Sequence, residues 1–363
     1  MSGASHLSFT PLDVWLPLYK NKLIVAGPCS VENKQQLETT ARELAKLEMV
    51  SVLRAGVWKP RSRPGHFEGV GAEALRWLQK IKKETGLRIA VEVAQPAHVE
   101  QCLKHDIDIL WLGARTSVNP FMIAEIAQAI KGTGIAVMIK NPVSPDLQLW
   151  IGAIERIYQA GSEKIIAIHR GFHGYHKNRY RNIPLWDIPL SLKKELPAIP
   201  VVCDPSHIAG NRKWIEEVAE KALTLEMDGL MIESHHNPAV ALTDPMQQIT
   251  PGALKKLIDK LLNGEKYIKP EKLIERIRTL IDDKDHELLE LLAERMQLVR
   301  EIGIIKSKNK TNIIQPERKR KISADRLEKG TIMGLNSDFI DKLLTIMHRE
   351  SVLIQESKRD MNK

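Results

Sequence analysis

The sequence predicts an α/β TIM barrel, a (β/α)8 fold, followed by an all-α helical domain. Between residues 22 and 263, eight short apolar runs alternate with longer segments of helical spacing. The runs are continuously apolar rather than alternating, which indicates strands buried on both faces of a parallel sheet. After residue 270 no strand-like segment follows. We therefore assign the barrel to 1–263, a linker to 264–269 and the helical domain to 270–363.

The apolar runs are the predicted barrel strands, and they lie at 23–26, 50–53, 89–93, 107–112, 135–139, 165–168, 201–202 and 230–232. Eight β/α units in a domain of this length are typical of a TIM barrel. A doubly wound open sheet is the alternative, but no glycine fingerprint of the dinucleotide-binding kind follows the first run. In a TIM barrel the chemistry lies where strands end, so the residues just after each run are the candidates.

The composition is that of an ordinary globular protein. Hydrophobic residues make up 43% of the chain and charged residues 27%, so a sizeable core is possible. No apolar run reaches the roughly 18 residues of a membrane span, and the N-terminus lacks the pattern of a secretory signal. Cys29, Cys102 and Cys203 are odd in number and far apart, which disfavours a disulfide framework. We expect a cytoplasmic protein that does not contact membranes.

The net charge of +9 would suit nucleic acid, a membrane surface or small anionic substrates. The basic residues are spread along the chain, and the densest cluster, at 318–321, is short. Aromatic residues total only 5%, so platforms for stacking single strands are poorly supplied. We therefore expect small anionic substrates and no nucleic-acid partner.

Four potential metal ligands follow three strands that become neighbours when a barrel closes. Cys29 follows the first strand, His207 the seventh, and Glu233 and Asp244 the eighth. A thiolate, an imidazole and two carboxylates suit a divalent transition metal such as Mn, Fe, Co or Zn, without choosing among them. The alternative is a buried cysteine beside unrelated polar loop residues, but four ligands at adjacent strand ends favour a metal site.

Cations follow four different strands, and they are Arg54, Lys59, Arg61, Arg115, Lys140 and Arg170. A barrel mouth lined in this way would bind substrates with several phosphates or carboxylates, because guanidinium groups match those anions. We interpret His169, His173 and His176, which lie near Arg170, as polar loop residues rather than ligands.

Several short motifs together resemble a known enzyme family. They are GPCS at 27–30, LRAG-x-x-KPR at 53–61, GAR at 113–115, DPSH at 204–207 and Glu-Ser-His at 233–235. This combination is similar to the type I 3-deoxy-D-arabino-heptulosonate 7-phosphate synthases, in the branch shared with the octulosonate phosphate synthases. The resemblance covers roughly residues 20–262 and implies a metal-dependent condensation of phosphoenolpyruvate with erythrose 4-phosphate.

The same resemblance implies roles for individual residues. The metal would be bound by Cys29, His207, Glu233 and Asp244. Phosphoenolpyruvate would be surrounded by Arg54, Lys59, Glu92, Arg115, Lys140 and Arg170, with Lys59 catalytic. Erythrose 4-phosphate would meet Lys59, Pro60, Arg61, Ser62 and Asp204. Ser62 and Arg63 stand where many relatives have Thr-Ser, and serine keeps the hydroxyl.

The helical domain is predicted to begin with a helix that ends near Ser307, with two further helices near 316–329 and 337–359. A helix of that length is too long for a compact monomeric bundle of this size, which suggests pairing with a second chain as a dimer or a tetramer. Arg278 precedes Arg295 by about 25 Å along the axis, so one helix cannot bring both to a small ligand. An antiparallel partner helix can; the alternative is an amphipathic helix with exposed cations.

LLELLAER at 288–295, Lys306, PER at 316–318 and ESVLIQ at 350–355 resemble the all-helical class of chorismate mutase. The resemblance implies that the carboxylates of chorismate are held by Arg295, Arg318 and the partner's Arg278. Lys306 and Gln355 would hydrogen-bond the ether oxygen as its bond breaks. Lys319 and Gln315 depart from the usual glutamate and aspartate, so the alternative is a weak mutase with a mainly regulatory role. In either case we expect prephenate to be the effector.

Overall fold

The computed structural model describes residues 7–16, 18–19, 21–60, 63–174, 179–263, 271–309 and 311–360. The chain forms two compact units, Met1–Arg276 and Ile277–Lys363. The predicted linker, 264–269, lies outside the described residues.

The first unit is a closed barrel of eight parallel strands in sequence order, β1 pairing with both β2 and β8. The strands are Leu23–Gly27 (β1), Val52–Ala55 (β2), Arg88–Val93 (β3), Ile109–Leu112 (β4), Ala136–Lys140 (β5), Ile165–His169 (β6), Val201–Cys203 (β7) and Gly229–Glu233 (β8). Every residue of β1, β5, β6 and β8 is buried, as continuous apolar runs predict. The predicted TIM barrel is confirmed, and the open-sheet alternative is wrong.

Helices surround the barrel, and their bounds are Leu12–Trp15 (α1), Lys34–Ala45 (α2), Glu73–Thr85 (α3), Pro96–Lys104 (α4), Pro120–Ile130 (α5), Leu147–Gln159 (α6), Asp187–Glu195 (α7), Pro205–Ala209 (α8), Ile215–Thr224 (α9) and Pro251–Asn263 (α10). Side-chain caps set several of their first turns. Asn33 accepts a hydrogen bond from the amide of Gln36, and Asp146 does so from Leu149.

The inside of the barrel is filled with apolar side chains, among them Val25, Trp111, Met138 and Ile168. Leu12 and Leu16, from α1 and the residue after it, belong to the same buried cluster as Leu23, Val52 and Ile109 near the starts of strands. The amino ends of the strands are thus covered by the chain itself. Their carboxyl ends remain for binding.

The second unit consists of α11 (Glu271–Lys308), α12 (Pro316–Ile332) and α13 (Ser337–Asp360), with α11 beginning just before the unit boundary. The three predicted helices are confirmed. The 38 residues of α11 span about 57 Å at 1.5 Å per residue. The backbones pack closely at Gly303, where a Cβ would lie 3.2 Å from the Cα of Gln355.

Much of the apolar surface of α11 faces solvent within the unit. Val299 is buried, but large apolar side chains of the same helix are exposed, namely Ile281, Leu288, Leu289, Leu291, Leu298, Ile302, Ile304 and Ile305. A stable monomer rarely exposes a contiguous apolar face of this kind, so the surface is suited to contact with another protein chain.

Replacing Gly229 by alanine is expected to destabilise the barrel, because a Cβ there would lie 2.1 Å from the carbonyl oxygen of Leu23. Strand β8 would have to move away from β1, and we expect the free energy of unfolding to fall by about 2–3 kcal/mol. All seven tryptophans lie at or before Trp214. Tryptophan fluorescence during urea denaturation therefore follows the barrel unit alone.

Gly252→Ala is the matched control, because a Cβ at Gly252 meets nothing within 4 Å. Gly252 lies in the first turn of α10, where alanine should preserve or raise stability by up to about 1 kcal/mol. Equal urea midpoints for Gly229→Ala and the unsubstituted protein would contradict the close approach of β1 and β8.

Candidate active sites

A cavity of about 1030 Å³ opens at the carboxyl ends of the barrel strands. Most of the predicted site residues that follow strands line it, including Lys59, Glu92, Arg115, Lys140 and Arg170. His207 and Asp244 of the predicted metal set line it as well. The residues that were predicted from their positions after strands therefore line one cavity.

Three of the four predicted metal ligands form a tight cluster. One donor atom each from Cys29, Glu233 and Asp244 lies within 4.8 Å of the others, and Cys29 Sγ is 3.4 Å from Asp244 Oδ2. His207 stands beside them, with its Nε2 atom 3.7 Å from Glu233 Oε1. Asp244 has a φ of 45°, an uncommon conformation that aspartate tolerates better than most residues.

Local structure explains where His207 lies. Asp204 follows β7 and caps the short helix α8, its Oδ1 accepting a hydrogen bond from the His207 amide at 3.1 Å. The other oxygen of Asp204 lies 2.8 Å from Nδ1 of the same imidazole. The DPSH motif thus places a carboxylate and an imidazole one helical turn apart on the same short element.

The carboxylates of the cluster are held by directed donors. Glu233 accepts hydrogen bonds from Arg54 Nη2 at 3.1 Å and from Gln247 Nε2 at 2.7 Å. Asp244 accepts one from Arg181 Nη1 at 3.0 Å, and the same nitrogen donates to Gln247 Oε1. These contacts fix both carboxylates before any ligand arrives.

The electrostatics of the cluster are consistent with a cation site. Burial and the neighbouring Glu233 raise the pKa of the Cys29 thiol to about 12. Burial alone would raise the pKa of Asp244, but Arg181 and His207 hold it at about 2. A sulfur, two carboxylates and an adjacent imidazole match the donors of a divalent transition metal, whose charge would favour the thiolate. The residues therefore fit a metal ion.

The cations of the cavity are paired with carboxylates or oriented by amides. Lys140 Nζ donates to Asp204 Oδ2 at 2.8 Å, and Lys59 Nζ lies 3.8 Å from Glu92 Oε2. Arg170 Nη1 donates to Asn182 Oδ1 at 2.7 Å. Each cation is thereby aimed at the cavity by a partner.

Crowding of like charges leaves the cavity ready for anions. Burial and the nearby cations Arg181 and Arg115, opposed by Asp204, lower the pKa of Arg170 to about 10. Burial and Arg54 likewise lower the pKa of Lys140, although Asp204 opposes them. A bound phosphate or carboxylate would relieve this repulsion.

Some predicted residues have other positions. Arg54 is wholly buried beneath the cavity, with its guanidinium 5.0 Å from the centre of the Trp111 ring. Pro60 does line the cavity, and its carbonyl oxygen accepts a hydrogen bond from Arg115 Nη1 at 3.4 Å. Arg61 and Ser62 lie outside the described residues.

The interpretation of His169 as a polar loop residue is wrong. His169 is the last residue of β6 and is wholly buried, with its ring 5.0 Å from that of Trp186. Burial lowers its pKa to about 3, so the imidazole is neutral. His173 lines the cavity, and His176 lies outside the described residues.

Sequence reasoning missed the amides and one arginine that orient the site. Asn182 donates to the carbonyl of His207 at 2.6 Å as well as accepting from Arg170. Gln248 accepts from the Cys29 amide at 3.0 Å, and Arg181 and Gln247 hold Asp244 and Glu233. These residues lie within loops, far along the chain from the end of a strand. The rule that site residues directly follow strands therefore could not identify them.

The helical unit gathers a second set of predicted residues. Arg295 Nη1 donates to Ser351 Oγ at 2.8 Å and thereby joins α11 to α13. Lys306 Nζ donates to the carbonyl of Ile313 at 2.7 Å, and burial together with nearby Arg318 lowers its pKa. Gln355 is buried, and its Oε1 has no hydrogen-bond partner in the described part of the chain.

Arg278 is not brought to this set within one chain. It is exposed on α11 and precedes Arg295 by 17 residues, about 25 Å along the axis.

Residues 19–269 match the DAHP synthetase I family. The chain belongs to that family. Residues 277–356 match chorismate mutase type II, so a DAHP synthase domain is followed by a chorismate mutase domain. The predicted fusion is confirmed, and the protein carries both a transferase domain and an isomerase domain.

Relatives of this DAHP synthase include the phospho-2-dehydro-3-deoxyheptonate aldolase of Thermotoga maritima. It is 28% identical over 238 residues, which cover 66% of this chain and 68% of the relative. The 2-dehydro-3-deoxyphosphooctonate aldolase of Syntrophotalea carbinolica is 26% identical over 267 residues, covering 68% and 91%. Both matches leave about a third of the present chain uncovered.

The crystal structure of phospho-2-dehydro-3-deoxyheptonate aldolase (DAHP synthase) from Thermotoga maritima has a similar fold. Its TM-score is 0.61 at 28% identity, covering 67% of this chain and 68% of that one. A truncated form of 3-deoxy-D-arabino-heptulosonate 7-phosphate synthase from the same organism gives 0.58 at 25% identity, covering 67% and 86%. Among the described residues of this DAHP synthase, no helix is long and apolar enough to cross a membrane.

Proposed function

We propose that the barrel condenses phosphoenolpyruvate with erythrose 4-phosphate, and that the helical unit rearranges chorismate to prephenate. In this proposal residues 1–263 form the synthase, 264–269 the linker and 270–363 the mutase. The observation that carries the first activity is the cavity lined by Lys59, Arg115, Lys140 and Arg170 and, on the side of the thiol–carboxylate cluster, by Asp244 and His207. The side of the cavity that carries the cations suits an anionic substrate. The side that adjoins the thiol–carboxylate cluster suits an aldehyde polarised by a metal ion.

In the proposed synthase site, phosphoenolpyruvate is bound by the cations at the strand ends, which are Arg54, Lys59, Arg115, Lys140 and Arg170, with Glu92 beside them. Erythrose 4-phosphate is placed against Lys59, Pro60, Arg61, Ser62 and Asp204. Two anionic substrates repel one another in water, and the crowded cations of the cavity offset that repulsion.

The residues that would hold the divalent ion are Cys29, His207, Glu233 and Asp244, and the ion is Mn, Co, Fe or Zn. When bound, it would act as a Lewis acid on the aldehyde oxygen. The Cys29 and Asp244 donors lie 3.4 Å apart, and Arg181 and Gln247 keep the carboxylates aimed at the same point. The chain thus supplies a preformed set of ligands.

Lys59 is the proposed proton donor. Burial alone would lower its pKa, but Cys29 and Glu92 raise it, so the ammonium form persists beside the cavity. The methylene carbon C3 of phosphoenolpyruvate bonds to the aldehyde carbon, and Lys59 gives a proton to the aldehyde oxygen. Water then adds at C2, the carbon that carries the phosphate, and loses its protons as the bond from C2 to the phosphate oxygen breaks. Inorganic phosphate leaves and C2 becomes the ketone carbon.

In the proposed mutase site, Arg295, Arg318 and the partner's Arg278 hold the two carboxylates of chorismate. Lys306 and Gln355 donate hydrogen bonds to the ether oxygen, where negative charge grows as the bond breaks. No covalent step is needed. Gln355 Nε2 donates one hydrogen to the carbonyl of Ser351 at 3.1 Å, and its second hydrogen is the one that would reach the ether oxygen.

The mutase proposal requires a homodimer through the helical unit. One α11 cannot place Arg278 beside Arg295, whereas an antiparallel copy can. The apolar residues exposed on α11, such as Leu288, Leu291 and Leu298, provide a surface for that contact. Two such dimers that pair with each other would give a tetramer.

A purely regulatory helical unit is the second candidate function. Lys319 stands where the related mutases usually carry glutamate, and Gln315 stands in place of aspartate. Both substitutions affect turnover more than binding of an anionic ligand. In either candidate, prephenate bound at Arg295 and Arg318 inhibits the synthase.

The cytoplasm is the proposed location, because all three cysteines are buried as free thiols. A reducing compartment keeps such thiols unpaired.

Cys29→Ala should reduce synthase turnover by at least about 100-fold, because a ligand is lost from the metal set. The same change should remove the near-ultraviolet charge-transfer absorbance that a thiolate gives with bound Co²⁺. Mutase turnover should persist. Cys102→Ala, a buried cysteine of α4, is the control and should keep the absorbance. Full synthase activity after exhaustive chelation would rule out the metal proposal.

Mixing Arg278→Ala chains with Arg295→Ala chains should restore mutase activity that neither has alone. In a mixed dimer one site collects both lesions and the other neither, so random exchange should give about a quarter of full activity. Native mass spectrometry measures the mixed dimers. If they form without recovery of activity, the shared site is wrong.

Arg295→Ala in the intact chain should abolish inhibition of the synthase by prephenate, measured relative to its own uninhibited rate. Arg300→Ala, an exposed arginine of the same helix, is the control and should keep the inhibition. Because coupling between sites is reciprocal, phosphoenolpyruvate should change prephenate affinity in the control only. Equal inhibition of both variants would place the effector site elsewhere.

A further inference from the structure

A pocket of about 700 Å³ lies between α12 and α13 of the helical unit. Its apolar lining includes Ile314, Val352 and Leu353. The volume is within the range of small-molecule sites, and an apolar floor suits a ligand with a hydrocarbon ring.

Basic side chains surround the apolar floor. Lys319 and Arg320 line the pocket from α12, and His348 and Arg349 line it from α13. In the part of the chain that the structure describes, Lys319, Arg320 and Arg349 have no carboxylate within 4.0 Å. Three permanent cations without counter-charges around one cavity create a strongly positive potential, which an anionic ligand would neutralise.

His348 is the titratable member of this group. Burial, Lys319 of α12 and Arg295 of α11 all lower its pKa. Arg295 is bonded to Ser351, three residues along α13 from His348. The pocket therefore adjoins the residues proposed to hold the carboxylates of chorismate.

We propose that a cyclic dicarboxylate binds in this pocket together with a proton, and that His348 is the group that takes up the proton. The inference rests on the proposed mutase site, because the pocket adjoins Arg295 through His348 and Ser351. It assigns to Lys319 and His348 a role in ligand affinity. The pH-dependent part of that affinity comes from His348, because Arg295 and Lys306 keep their charges near neutral pH. The proton comes from solvent, and no covalent bond changes.

The direction of the pH dependence follows from the charges. Without ligand, Arg295 and Lys319 disfavour the imidazolium, and Arg320 and Arg349 add to the positive field. A bound dicarboxylate reverses that field and favours the imidazolium. Affinity is therefore highest at low pH and falls as pH rises through the pKa of His348 in the complex. The arginines, the lysine and the ligand carboxylates keep their charges throughout this window.

Isothermal titration of the full-length protein with prephenate tests the proposal. At pH 6.5, titration in two buffers of different ionisation enthalpy counts the protons taken up per ligand. We expect net uptake at pH 6.5 and none at pH 8.5. If the ligand raises the pKa of His348 by one unit, affinity should fall about two- to fivefold across that range, because the unliganded imidazole is already largely neutral at pH 6.5.

Two substitutions of His348 separate a proton-binding role from a structural one. His348→Gln should abolish proton uptake and bind prephenate at pH 6.5 as weakly as the unsubstituted protein does at pH 8.5. His348→Lys carries a fixed charge and should keep tight binding at both pH values. Circular dichroism checks that both variants remain helical.

His286→Gln is the matched control, since His286 is the other histidine of the helical unit and its exposed ring pairs with Glu290 at 3.2 Å. Its proton count should equal that of the unsubstituted protein. Unchanged proton uptake in His348→Gln, or binding without uptake in the unsubstituted protein, would overturn the role of His348. Absence of prephenate binding at every pH would instead overturn the proposed mutase site.

Discussion

The buried guanidinium of Arg54 connects the two halves of the barrel site. It donates to Glu233 at 3.1 Å and lies 4.0 Å from Asp204, while its plane approaches the Trp111 ring. Glu233 belongs to the thiol–carboxylate cluster, whereas Asp204 holds Lys140 and the amide of His207. Removing such a cation would leave two buried carboxylates with fewer partners, which is strongly destabilising. The geometry of both halves therefore depends on one side chain at the end of β2.

The helical unit is stabilised differently. The barrel has a continuous apolar interior, whereas the described part of α11 buries Val299 and leaves many large apolar side chains exposed. An isolated helix of this composition gains most of its stability from tertiary packing. Association with a second copy would supply that packing and would also deliver Arg278. Stability and site assembly in this unit would then depend on the same contact.

Much of the barrel site could be predicted because parallel strands deliver their carboxyl ends to one rim. Lys59, Arg115 and Lys140 follow directly from that rule, and the cavity brings them together. Arg181 and Gln247 could not be predicted in this way, because they lie deep in loops and act through contacts with residues distant in sequence. The prediction for His169 was wrong because the apolar run ends at residue 168, whereas β6 continues to His169. One more residue in the strand makes this side chain buried rather than part of a loop.

The two sites also differ in how their charges are compensated before a ligand binds. In the barrel, carboxylates neutralise Arg54, Lys59, Lys140 and Arg181, so the site keeps its geometry in the absence of substrate.

In the described part of the helical unit, Arg295 is bonded to a hydroxyl and Lys306 to a backbone carbonyl, neither of which carries a counter-charge. Ligand binding there removes more electrostatic strain than it does in the barrel. A site whose cations gain counter-charges from its ligand is well suited to change its packing when that ligand arrives, which is the property that a regulatory domain requires.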